Sequence, residues 1–210
     1  MPIPAFDLYL VTDRSQTQGR DLLWVLEQAL DGGGVGAVQL REKDLEGKEL
    51  FSLAEKARGL CARYGAALFI NDRIDVALAV GADGVQLAAT SLPIESARAL
   101  LGPTKTIGAS THSLEEAQQA ERLGADFVLF GPVYFTPSKA AFGPPQGVLA
   151  LKKIVENTRL PVYAIGGIKP ENISEIMGTG ARGISLISAV LAAADPKQAS
   201  AVMHKLLRRS

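Results

Sequence analysis

The chain has 210 residues, of which 47% are hydrophobic and 21% are charged, a composition typical of a globular protein and not of a disordered one. Lysine plus arginine and aspartate plus glutamate each number 22, so no net charge attracts nucleic acid or an anionic membrane. We therefore expect neither partner, and any anionic ligand must be held by local groups.

We expect neither an export signal nor a membrane anchor. The sequence has no apolar run of about 18 residues, and residues 1–7 lack the charged and then apolar pattern of a signal peptide. Cys61 is the single cysteine and cannot form an internal disulfide, as is usual in a reducing compartment. We expect a cytoplasmic protein, and the sequence leaves its oligomeric state open between a monomer and a homo-oligomer.

Eight short apolar runs punctuate the chain, and four of them start from a corner of glycine and alanine. They are residues 8–12, 34–40, 67–71, 81–87, 106–110, 124–130, 162–166 and 180–186. Runs of this length that are rich in Val, Ile and Phe predict strands buried on both faces, as in a parallel sheet.

Longer segments with helical periodicity follow the runs. The clearest are residues 21–30, 47–63, 113–123, 147–157 and 196–208. Eight strand and helix units predict a single-domain (β/α)₈ TIM barrel over residues 1–210. The alternative, an open doubly wound sheet, needs fewer strands and a glycine-rich dinucleotide turn after the first one.

Two anion sites are predicted where the runs end, because the active sites of such barrels lie there. Gly166 and Gly167 end the seventh run and Ser188 follows the eighth, which predicts a phosphate site built from backbone N–H groups. The alternative for the glycine pair is a tight turn that needs glycine only for steric reasons.

The second anion site is predicted from three cations on loops that the fold brings to the same mouth, with neutral hydrogen-bonding groups around them. The cations are Arg41, Lys43 and Lys139, and the neutral groups are Asn71, Ser110, Thr136 and Ser138. The alternative is that residues 41–44, Arg-Glu-Lys-Asp, form a solvated charge run whose members pair with one another.

Several motifs, in order along nearly the whole chain, resemble the thiamine-phosphate synthase family, including its thiazole-tautomerase branch. They are residues 9–13 (Tyr-Leu-Val-Thr-Asp), 38–44 (Val-Gln-Leu-Arg-Glu-Lys-Asp), 69–73 (Phe-Ile-Asn-Asp-Arg), 81–85 (Gly-Ala-Asp-Gly-Val), 131–133 with Thr136 and Lys139, and 164–168 (Ala-Ile-Gly-Gly-Ile).

The resemblance implies a transferase of thiamine biosynthesis. Such an enzyme joins hydroxymethylpyrimidine diphosphate to a thiazole phosphate and releases pyrophosphate. The diphosphate leaves, the thiazole nitrogen captures the pyrimidine cation, and protein cations with Mg²⁺ stabilise the departing charge. Both substrates are phosphorylated small molecules, in agreement with two anion sites.

The resemblance also implies a role for each matching residue. The diphosphate is assigned to Arg41, Lys43, Asn71 and Lys139, the pyrimidine to Gln39 and Ser110, the thiazole to Thr136 and Ser138, the thiazole phosphate to the backbone of Gly167, Ile187 and Ser188, and Mg²⁺ to Asp72. Of these, Arg41, Lys43, Ser110 and Lys139 are the expected catalytic residues.

Two positions depart from the family. After the fourth strand the synthases usually have Gly-Val-His-Leu-Gly-Gln-x-Asp, whose final carboxylate is a second magnesium ligand, and we expect the neutral hydroxyl of Thr90 in its place. In the tautomerases a histidine follows the glycine of the sixth strand, and here that residue is Pro132. His112, after the fifth run, is either an acid or base at the active mouth or a structural residue beside Ser113, a good helix cap.

Three alternatives to the synthase remain. One is a thiazole phosphate tautomerase, and another is a barrel without catalysis that binds a thiamine precursor. The third is an isomerase or aldolase of sugar phosphates, against which stands the lack of a lysine or paired carboxylates at a strand end.

Overall fold

The fold is a closed barrel of eight parallel strands, seen in a computed structural model that describes residues 6–137 and 143–209. Each strand pairs with its neighbours in the chain, and the last strand pairs with the first. The strands are β1 Leu8–Val11, β2 Val35–Leu40, β3 Ala67–Asn71, β4 Gly84–Leu87, β5 Thr106–Thr111, β6 Phe127–Phe130, β7 Val162–Ile165 and β8 Gly183–Leu186. The predicted TIM barrel is confirmed.

Helices follow the strands around the outside of the barrel. Those in the described residues are α1 Leu22–Asp31, α2 Gly47–Arg63, α3 Ile74–Ala79, α4 Ile94–Leu101, α5 Leu114–Leu123, α6 Gly147–Asn157, α7 Ile173–Met177, α8 Ser188–Leu191 and α9 Pro196–Leu207. The five helices predicted in detail agree with α1, α2, α5, α6 and α9 to within one residue at each end. None of the described helices combines the length and the apolar character needed to cross a membrane.

Three of the four corners of glycine and alanine lie before their strands, and the first lies mostly within β2. Gly124 has a φ of 91° and caps α5, so β6 begins three residues later than the corner. Asp126 lies between this corner and β6, and its side chain links β5 to α4. It accepts from the backbone N of Ile107 at 2.7 Å and from Arg98 at 2.6 Å. Asp83, before β4, likewise accepts from the backbone N of Leu68 and from the side chain of Arg58. These aspartates tie the amino ends of the strands to the helices.

Aromatic rings close the amino end of the barrel. Phe6 stacks on Tyr163 with ring centroids 4.8 Å apart, and the Tyr163 hydroxyl donates to the Phe6 carbonyl at 2.8 Å. Tyr9, Phe69 and Phe127 pack edge to face within the same cluster. A ligand can therefore approach the interior only from the opposite end, where the strands finish.

A layer in which three of four side chains are polar lies above the aromatic rings. The strand register places Gln39, Gln86, Leu129 and Ser185, from alternate strands, in one layer. Only glycine fits at position 108 beside this layer, because a Cβ there would lie 2.3 Å from both Gln86 Oε1 and Phe127 Cζ. The interior thus changes from apolar to polar toward the carboxyl end of the strands.

Cys61 is buried in α2 as a free thiol, and burial raises its pKa to about 12. A thiol that stays protonated at neutral pH is a poor nucleophile. Its role is in packing.

Candidate active site

A buried carboxylate organises the loops after β1 and β2. Glu42 is only 5% exposed, and its two oxygens accept from the Thr12 hydroxyl at 2.6 Å and the Arg14 backbone N at 3.1 Å. Thr12 in turn accepts from the Arg41 backbone N at 2.9 Å. Burial raises the pKa of Glu42, and the Thr12 hydrogen bond opposes that rise. Since Thr12 is itself fully buried, these bonds fix the backbone from which Arg41 projects.

The other acidic member of the charge run is also engaged elsewhere. Asp44 pairs with Arg14 at 2.6 Å, across the two loops. Within the described residues, Arg41 and Lys43 form no ion pair. Self-pairing within residues 41–44 is therefore wrong in that part of the chain, because both acids take their partners from the loop after β1.

Arg41 and Lys43 line a cavity of about 770 Å³ between the loops after β1 and β2. Arg14 and Arg20 line it as well, and sequence reasoning missed both. Arg20 donates to the Leu191 carbonyl at 2.8 Å and so connects the wall to the end of α8. A signal for Arg14 was present in the sequence, since it lies in the loop that follows the first strand.

A second cluster lies at the ends of β3 and β4. Asp72 accepts from Asn71 Nδ2 at 2.8 Å and, through its other oxygen, from the Ser91 hydroxyl. Ser91 also accepts from the Ala88 backbone N at 2.6 Å. The side chain opposite Asp72 is therefore Ser91, and the expectation that Thr90 takes this place is wrong: Thr90 is exposed and one residue short of the final position in the eight-residue family pattern.

The predicted pyrimidine residues lie in the barrel interior or at its rim. Gln39 is 2% exposed and donates to the Tyr9 hydroxyl at 3.4 Å. Ser110 accepts from Gln86 Nε2 at 3.1 Å, and sequence reasoning missed Gln86. Gln86 Oε1 and the Ser185 hydroxyl, both buried, have no hydrogen-bond partner among the described residues. These groups give the mouth a polar floor.

The glycine pair after β7 has the backbone that a tight turn requires. Gly166 and Gly167 have φ values of 98° and 66°. A Cβ on Gly167 would lie 2.6 Å from the Phe135 carbonyl oxygen, so the loop after β6 packs directly on this turn. Steric need alone thus accounts for glycine at Gly167, and a phosphate site at this turn stays a prediction. Thr136 lies half-buried in the same loop.

Ile187 and Ser188 follow β8, where Ser188 begins α8. This helix has a single turn of four residues, so its dipole adds little to anion binding. Any phosphate here depends on individual N–H groups. Ser138 and Lys139, two further predicted site residues, lie outside the described residues.

His112 is held at the start of α5. Its backbone N donates to Glu116 Oε2 at 2.7 Å, and its Nδ1 lies 3.2 Å from the same oxygen. Ser113 caps the helix by accepting from the Glu116 backbone N at 3.1 Å. These contacts favour the structural role of His112 at the start of the helix over a role as an acid or base.

Comparison with known proteins finds similarity along nearly the whole chain. The model of a family described as thiamine monophosphate synthase matches residues 8–190. The chain is 52% identical to a putative thiamine-phosphate synthase of Geobacter sulfurreducens, over 96% of this chain and 94% of the relative. It is 43% identical to the thiamine-phosphate synthase of Clostridium novyi, over 96% and 98%.

A solved structure is similar over nearly its whole length. It is the thiamine phosphate pyrophosphorylase from Pyrococcus furiosus, with a TM-score of 0.89 and 40% identity, covering 98% of this chain and 97% of that one.

Proposed function

Because this chain belongs to the thiamine monophosphate synthase family, we propose that it is a thiamine-phosphate synthase, a transferase of thiamine biosynthesis. It couples hydroxymethylpyrimidine diphosphate with thiazole phosphate and releases pyrophosphate. The bond from the pyrimidine methylene carbon to the diphosphate oxygen breaks, and a bond from that carbon to the thiazole nitrogen forms.

One observation carries the assignment of the diphosphate site: the two cations of the charge run have no acidic partner in the described chain. Negative charge builds up on the diphosphate as it leaves. A cation already paired with a carboxylate would have to give up that partner first, whereas Arg41 and Lys43 are free to meet the developing charge. The Thr12 and Glu42 hydrogen bonds hold the Arg41 backbone in place before the substrate arrives.

Other residues bind and orient the two substrates. We assign the diphosphate to Arg41, Lys43, Asn71 and Lys139, and the thiazole phosphate to the backbone of Gly167, Ile187 and Ser188. The thiazole lies near Thr136 and Ser138, and the pyrimidine lies over the polar floor.

Gln39 and Ser110, both near that floor, place the pyrimidine carbon for attack. Binding both substrates in one mouth converts a bimolecular step into an effectively unimolecular one. No side chain is required as a nucleophile.

The side chains after β3 and β4 fit a magnesium ion only in part. Asp72 would hold it, with the hydroxyl of Ser91 beside it. Within the described residues, no group of three or more His, Cys, Asp or Glu side chains could hold a metal ion. When bound, Mg²⁺ would neutralise charge on the diphosphate.

A cytoplasmic location belongs to the same proposal. It is supported by the use of a single cysteine, Cys61, which forms no internal disulfide, as is usual in a compartment where thiols are kept reduced.

The test is incubation of the pure protein with both substrates and Mg²⁺, with quantitation of pyrophosphate and thiamine phosphate. Equal amounts of the two products support the synthase. Isomerisation of the thiazole phosphate without coupling would replace it with the tautomerase, and binding of either substrate without turnover would replace it with the binding barrel.

A further inference from the structure

Three consecutive backbone carbonyls at the end of β7 are each held by a hydrogen bond. The loop after β6 donates two of these bonds from its backbone, to Ile165 at 2.9 Å and to Gly166 at 3.0 Å. The third comes from a side chain, since Nδ2 of Asn172 donates to the Gly167 carbonyl at 3.1 Å. The glycine turn is therefore held from two sides, by the preceding loop and by the segment that follows it.

The direction of each carbonyl fixes the direction of the next N–H group. In a trans peptide the C=O and the N–H lie in one plane and point to opposite sides, and the bond between Gly167 and Ile168 is trans. The hydrogen bond from Asn172 therefore turns the N–H of Ile168 away from Asn172. Within residues 6–137 and 143–209, neither Gly167 nor Ile168 donates its backbone N–H to another group. Successive N–H groups in a turn form a concave set of donors that binds anions.

Asn172 is itself held in place. It ends a single 3₁₀ turn, Pro170–Asn172, and its Oδ1 accepts from the Lys169 backbone N at 2.9 Å. Glu175, in α7, accepts from the Tyr134 hydroxyl at 2.6 Å, so the loop after β6 also supports the helix that follows Asn172. Because its Oδ1 is fixed, the amide of Asn172 has its Nδ2 directed at one carbonyl, as a group that orients a binding site requires.

We propose that Asn172 is a positioning residue of the thiazole-phosphate site, where its hold on the Gly167 carbonyl aims the N–H of Ile168 at the phosphate. Asn172 does not touch the phosphate and acts only through the backbone. A donor that is aimed before the ligand arrives saves the cost of ordering it on binding. This inference rests on the proposed function, since it takes the phosphate of the thiazole substrate as the ligand of the turn.

Titration of inorganic phosphate into ¹⁵N-labelled protein, followed by NMR, tests the role of the side chain. The wild type should show saturable shifts of the Gly167 and Ile168 amide resonances. Asn172→Ala should weaken phosphate binding by about 3–10-fold, which is the effect of one neutral hydrogen bond. Asn157→Ala is the matched control. It removes another bond from an asparagine amide to a carbonyl, that of Lys153, at the end of α6 that leads to the start of β7, and it should bind phosphate like the wild type.

Asn172→Asp separates the two hydrogen bonds of the side chain. Aspartate keeps the acceptor for the Lys169 N–H but has no donor for the Gly167 carbonyl, so it should weaken phosphate binding at least as much as Asn172→Ala. Ser174→Asp adds the same charge on an exposed side chain of α7 and should bind phosphate like the wild type. Binding of wild-type strength in Asn172→Asp, or an equal loss in Ser174→Asp, would overturn the proposal.

Steady-state coupling provides a readout that a merely structural role would not give. Asn172→Ala should raise KM for thiazole phosphate by about 3–10-fold, while KM for the pyrimidine diphosphate and kcat stay at the wild-type values. Equal rises in the two KM values, or a fall in kcat alone, would assign Asn172 to general support of the mouth and overturn the positioning role.

The outcomes separate this inference from the proposed function. If the wild type forms no thiamine phosphate from the two substrates, the proposed function fails. If the wild type couples them but phosphate leaves the amides of Gly167 and Ile168 unshifted, or binds equally well to Asn172→Ala, the positioning role is wrong and the synthase assignment stands.

Discussion

The hydroxyl of Thr12 donates to the carboxylate of Glu42 at 2.6 Å, and both residues are buried at the mouth of the barrel. This bond joins the end of β1 to the loop after β2 and supports the backbone of Arg41, whose N–H donates to the same hydroxyl. A buried acid is thus used to hold a cation-bearing loop in shape.

Thr12→Val should lower the free energy of unfolding by about 1–3 kcal/mol, because it leaves the Arg41 N–H and one Glu42 oxygen without their partner. Urea denaturation measures this loss. Thr12→Ser keeps the hydroxyl and should retain most of the stability, and equal losses in the two variants would show that the methyl group and not the hydrogen bond matters.

Glu42 gives stability a defined pH dependence. Burial raises its pKa above the ordinary 4.5, so the folded protein binds this proton more tightly than the unfolded chain. Its contribution is fully present below pH 4.5 and is lost as the pH rises through the folded pKa. The advantage of the wild type over Glu42→Gln should therefore be greatest in acid and shrink as the pH rises through that window. Denaturation of both proteins over a pH series measures it, and an advantage that grows with pH would contradict the account.

Gly108→Ala should destabilise the barrel by about 1–3 kcal/mol, because the new methyl would overlap Gln86 and Phe127 in the filled interior. Gly59→Ala is the contrasting control. Gly59 lies in the middle of α2 with nothing within 4 Å of its Cβ position, so the change should stabilise the protein by about 0.5–1 kcal/mol. Thermal denaturation of the two variants measures both effects. If neither change altered stability, the packing described around Gly108 would be wrong.

Inorganic phosphate should bind at Gly167 and Ser188 and raise the melting temperature of the wild type by mass action. Gly167→Ala should lower stability and abolish that rise, since its Cβ would meet the Phe135 carbonyl and distort the turn. Gly33→Ala has a similar φ of 81° with open space around it, and it should lower stability but leave the phosphate effect intact. Anion density elsewhere in phosphate-soaked crystals, and none at this turn, would refute the site.

The sequence predicted the barrel well because each strand is buried on both faces and each carries its own apolar run. It placed four strand starts too early, since a corner such as Gly124 and Ala125 is apolar and small whether it belongs to a strand or to the turn before it. Short helices such as α7, with five residues, offer too few turns for a periodic pattern.

The position of a residue that directly follows a strand, such as Asp72 after β3, was predictable from the sequence. Pairings were not, because they depend on distances between loops. Nothing in the order Arg-Glu-Lys-Asp shows that Glu42 turns inward to Thr12 while Asp44 reaches Arg14. The choice between Thr90 and Ser91 likewise rests on which hydroxyl reaches Asp72 in space.

The central claim is that the free cations after β2 drive departure of the diphosphate, and single-turnover coupling in Arg41→Ala tests it most directly. Loss of this group should slow release of pyrophosphate by about 10²–10³-fold while folding is preserved. Lys139→Ala should show a similar loss. Arg63→Ala is the control, because Arg63 pairs with Glu27 on the outer helices and should couple at the wild-type rate. Rates near that of the wild type in both Arg41→Ala and Lys139→Ala would contradict the account and return residues 41–44 to the role of a solvated surface.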